Sequence, residues 1–73
     1  MLGFMFSEKE TNELSYILKK ELEEMILDMQ DLRIDSVIRE ALEERYRVIF
    51  RIFSRMAEPK DLAKYAPAKR TKH

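Results

Sequence analysis

The chain has 73 residues, 38% of them charged and 45% apolar, with a formal net charge of zero at pH 7. That length allows one small domain over residues 1–73, and so many charges beside so large an apolar share suit amphipathic helices rather than disorder. One Gly, two Pro and no Cys exclude a turn-rich β fold, a disulfide framework and a thiolate metal site.

The single His is residue 73, so Cys–His and Ser–His–Asp nucleophile arrangements lack their parts. Neither a catalytic centre nor a cofactor or metal site is expected. The segment over residues 1–6 is apolar, but it has no basic region and no small-residue cleavage site, and it is too short for a membrane span. Cytoplasmic residence is the default expectation.

Ser7-Glu8-Lys9-Glu10 has the spacing of a capping box, in which the Ser hydroxyl and the Glu carboxylate each take a backbone N–H at a helix start. Helix one is therefore expected over about 7–31. Its apolar residues, Leu14, Ile17, Leu18, Leu22, Met25, Ile26, Met29 and Leu32, occupy a face roughly half the cylinder wide, with Tyr16 and Leu27 on the opposite side. A second apolar series, running from Ile34, Val37 and Ile38 to Ile52, Phe53 and Met56, stops before Glu58-Pro59. Continued at 100° per residue, the centre of the apolar face jumps by about 200° near Arg33. An unbroken straight helix cannot bury both faces against one neighbour. The expected fold is thus all-α, an antiparallel two-helix hairpin with a reversal near 32–35. Asp35 or Ser36 caps a second helix that runs to about 57. Pro59–Tyr65 reads as a short helical turn with Pro59 at its first position, and residues 66–73 as a frayed basic tail.

The expected core comprises Leu14, Leu18, Leu22, Met25 and Met29 from helix one and Val37, Ile38, Leu42, Ile49, Ile52, Phe53 and Met56 from helix two. Both apolar faces are too broad to be covered by a single partner helix. A homodimeric four-helix bundle satisfies them. A lone core of this size seldom gives more than about 3–5 kcal/mol, which also points to association.

The zero net charge hides an asymmetry: residues 1–32 sum to −5 and residues 33–73 to +5. In an antiparallel pair, position i lies opposite about 67 − i, which sets Glu21 beside Arg45. Arg45 falls near the middle of the second apolar series, so it is expected in a buried or half-buried ion pair with Glu21 or Glu24. An arginine–glutamate pocket for pericyclic chemistry would have to draw on Lys20, Glu21, Arg39 and Arg45, and no motif supports it.

Arg47, Arg51 and Arg55 form a ridge at four-residue spacing and, with Tyr16 and Leu27, make up the candidate interaction surface. The expected role is a small non-enzymatic protein-interaction or regulatory module, acting as a homodimer toward an unidentified protein partner. A nucleic-acid-binding accessory role through the basic C-terminal half is the alternative, opposed by the interleaved Glu40, Glu43 and Glu44.

Overall fold

A computed structural model describes residues 3 and 5–67. Much of the expected apolar N-terminal segment (Met1, Leu2 and Phe4) and the tail beyond Pro67 lie outside the described residues. The described residues form three helices in order: α1 (Glu8–Gln30), α2 (Ser36–Phe53) and α3 (Pro59–Tyr65). No strand occurs among the described residues. The two long helices pack against each other as a hairpin, and α3 folds back over their seam.

The start of α1 is the expected capping box: the Glu10 N–H donates to Ser7 Oγ at 3.1 Å, and the Ser7 N–H donates to Glu10 Oε1 at 2.9 Å. These bonds, with Ser7 the main cause, hold the Glu10 carboxyl below the usual carboxylate range. The reversal is built by two residues. Asp31 accepts from the Arg33 backbone N–H at 2.9 Å and from both prongs of the Arg33 guanidinium at 3.1 and 3.2 Å. Arg39, one turn into α2, donates to the Met29 carbonyl and to the Asp31 carbonyl. Carbonyls at a helix C-terminus have no intrahelical donor, and a cation there also meets the negative end of the dipole. Asp35 then caps α2 by accepting from the Val37 N–H at 3.1 Å.

Helix two ends at Phe53, four residues before the expected boundary near 57. The Ser54 hydroxyl donates to the Arg51 carbonyl at 2.6 Å, and the next N–H groups, of Arg55 and Met56, bond three residues back instead of four. That tightening bends the chain so that Glu58, extended ahead of Pro59, can start α3.

Among the described residues five side chains are buried: Leu22 and Met25 of α1, Tyr46 and Phe53 of α2, and Tyr65 of α3. Leu18, Ile26, Met29, Leu42, Ile49, Phe50, Ala57 and Leu62 pack around them. Of the expected core residues, Leu14 and Met56 are half-buried, whereas Val37, Ile38 and Ile52 are exposed at 70%, 54% and 41%. These three correct the expected core: among the described residues, no neighbouring element covers that side of α2. Tyr46 and Tyr65 take their place. The Tyr65 ring stands edge-on to Phe53, centroids 5.9 Å apart at 89°, a favourable aromatic arrangement.

Candidate functional site

The hairpin has two broad faces, and two glutamates tell them apart. Glu21 and Glu23 are two residues apart on α1, so they project to nearly opposite sides. Glu23 accepts a 2.6 Å hydrogen bond from the Tyr65 hydroxyl, and Glu21 lies 3.4 Å from the Arg45 guanidinium. Helix α3 therefore covers one face of the hairpin, and Arg45 stands on the other.

The covered face is a small polar network over the core. The Tyr46 hydroxyl donates to the Tyr65 backbone carbonyl at 2.7 Å, and the Tyr65 hydroxyl donates to Glu23. Burial, and then the adjacent Glu23 carboxylate, push the Tyr65 phenol up to about 12. Burial raises Tyr46 as well, while the Tyr65 hydrogen bond holds Glu23 below the usual carboxylate range. The Lys64 ammonium sits 5.4 Å above the Tyr65 ring. A cleft of about 260 Å³ lies beside α3, with Glu43 and Lys64 the charged residues in its wall.

The opposite face is open. Counted at 100° per residue from Tyr46, residues Leu42, Ile49 and Phe53 fall within about 60° and form the seam with α1. Ile38, Ala41, Arg45, Val48 and Ile52 follow on the open side, between about 80° and 160°. All five are exposed. The other flank of α2 holds Glu40, Glu43, Glu44, Arg47 and Arg51 instead. Toward the open end of the hairpin the uncovered face deepens into a groove of about 610 Å³ lined by Phe6, Thr11, Leu14, Leu18, Ile52, Arg55 and Met56.

Arg45 and Glu21 meet as the antiparallel register requires, but not in the interior: their side chains are 63% and 36% exposed. The expected buried or half-buried pair is met by Glu21, which is half-buried, but not by Arg45, and Glu24 is exposed too. The apolar arc of α2 spans two surfaces, the seam and the open stripe, and Arg45 lies between them.

The other candidate residues are dispersed. All three arginines, Arg47, Arg51 and Arg55, are exposed, but only Arg47 and Arg51 lie along the charged flank, where Arg47 pairs with Glu44 at 3.4 Å, whereas Arg55, past the end of α2, lines the groove. Tyr16 and Leu27 are exposed on the outer side of α1, with the Lys20 ammonium 5.9 Å over the Tyr16 ring. Lys20, Glu21, Arg39 and Arg45 do not converge on a pocket. Arg39 is engaged by backbone carbonyls, Lys20 by Tyr16, and Glu21 and Arg45 by each other. Among the described residues no group of three or more His, Asp or Glu side chains is placed to hold a metal ion. No helix among the described residues is long and apolar enough to cross a membrane.

Two contributors carry a signal in the sequence. Tyr46 shares the Leu42, Ile49 and Phe53 heptad spacing, which marks it as a seam residue, and Arg39 lies on the same stripe at the level of the α1 C-terminus. Tyr65 is signalled by its three-residue spacing from Leu62 and by the antiparallel register, which gathers Phe50, Phe53, Leu62 and Tyr65 at the open end of the hairpin. Comparison with protein-family models, with curated proteins and with solved structures finds no match for this chain.

Proposed function

We propose that this chain is a non-enzymatic helical interaction module that works as a homodimer and presents its remaining surface to a protein partner. The observation that carries the reading is the open face of α2, where Ile38, Ala41, Val48 and Ile52 stand exposed beside the groove at the hairpin's open end. An apolar stripe of this kind marks an association surface more often than a solvated one. The small core adds to it, since five buried side chains leave the isolated chain little stability to spare.

The substitution Val48→Asp tests the proposal. It introduces a charge on the open stripe without touching the buried core, so the variant is expected to stay helical and sediment as a monomer. Leu27→Asp, on the outer side of α1, is expected to leave the dimer mass unchanged. A Val48→Asp chain that kept the dimer mass would refute the role of this face. The alternative role, nucleic-acid binding through Arg47, Arg51 and Arg55, predicts binding to a duplex oligonucleotide that falls steeply between low and physiological salt.

A further inference from the structure

The open stripe of α2 is arranged symmetrically about Arg45. Ile38 and Ile52 are each seven residues from Arg45, two helical turns on either side, and Ala41 and Val48 lie four and three residues away. One end of the stripe carries the exposed knobs Val37 and Ile38, and the other end forms a wall of the groove lined by Leu14, Leu18, Ile52 and Met56. At the middle, Arg45 and Glu21 present one charge of each sign at the surface. A patch shared by both subunits of a two-fold dimer must be its own complement. This patch is, when turned end over end.

From this we infer that two copies of the chain pack α2 against α2 in antiparallel orientation, with the two-fold axis passing beside Arg45; the inference rests on the homodimer proposed above. Ile38 of each copy then faces Ile52 of the other and enters the groove at the open end, while Ala41 meets Val48. Around the axis, two arginines and two glutamates alternate, so each Arg45 gains the partner's Glu21 beside its own. A parallel arrangement would set Ile38 on Ile38 and leave both grooves unfilled. The charge cluster fixes register, the best-attested use of a polar group within an apolar seam.

The native chain has no cysteine, so introduced thiols report the orientation directly. Ile38→Cys chains are mixed with Ile52→Cys chains in equal amounts, oxidised, and the disulfide-linked products identified by mass. The expected product is the 38–52 heterodimer, with little linkage in either variant alone. Linkage of Ile38→Cys with itself and of Ile52→Cys with itself would overturn the antiparallel arrangement. No linkage at dimer mass would overturn this face while leaving the dimer intact, and monomer mass would overturn both. A second measurement uses charge. Arg45→Glu places four carboxylates at the axis and is expected to raise the dimer dissociation constant at least about tenfold. Adding Glu21→Arg to the same chain is expected to restore it, and failure of that rescue would contradict the proposed cluster.

Discussion

Tyr46→Phe removes one oxygen atom and leaves the ring that fills the seam. The lost hydroxyl donates to the Tyr65 carbonyl at 2.7 Å inside the core. A hydrogen bond is worth about 0.5–1.5 kcal/mol net, and a buried acceptor left without its donor costs about 1–3 kcal/mol. The carbonyl belongs to the last residue of α3, so the loss falls on the docking of that helix and not on α1 or α2. A destabilisation of about 1–3 kcal/mol corresponds to a fall in Tm of roughly 5–20 °C for a domain of this size. The measurement is thermal unfolding followed by far-UV circular dichroism at one protein concentration, because association makes Tm concentration-dependent. Near-UV dichroism of the tyrosines serves as a second probe for α3. A Tm within about 2 °C of the parent would refute the claim that this bond anchors α3.

Further outcomes follow from the same contacts. Leu22→Ala empties the centre of the core, and its cost of about 2–5 kcal/mol is comparable with the whole stability of so small a domain, so loss of the helical signal at 37 °C is expected. Arg39→Ala uncaps the C-terminus of α1 and is expected to cost about 1–2 kcal/mol in urea unfolding, with Arg39→Lys failing to recover it because one ammonium cannot reproduce the guanidinium fork. The Tyr65–Glu23 bond sets a pH dependence at both ends. Tyr65 has its phenol raised from 10 to about 12, so its contribution is full below pH 10 and disappears as pH climbs through about 12. Glu23 has a carboxyl lowered from 4.5, so its contribution is present above that value and disappears as pH falls through the lowered one. A Glu23→Gln chain is therefore expected to show a shallower loss of Tm below pH 4.5 than the parent.

Much of this fold is legible in local sequence. Ser7 and Glu10 announce the start of α1, Asp35 caps α2, and the jump in apolar phase at Arg33 demands a reversal although no Gly or Pro marks it. What could not be read depends on contacts between distant residues. The chain turns at Ser54 because a side-chain hydroxyl and the packing of α3 end the helix there, while the apolar period runs on to Met56. Arg39 reaches across ten residues to the Met29 carbonyl, and no local pattern records that. The open stripe shows the opposite failure. Ile38 and Ile52 are apolar at helical spacing, so they read as core, and periodicity alone does not say whether an apolar face meets its own chain or another.

In the proposed homodimer a second copy covers the open face of α2. Sedimentation equilibrium of the unmodified chain, across protein concentrations from micromolar to millimolar, tests it most directly. A homodimer gives a mass of twice 8.8 kDa that falls to monomer only on dilution. A folded, helical species of 8.8 kDa at every concentration would contradict it.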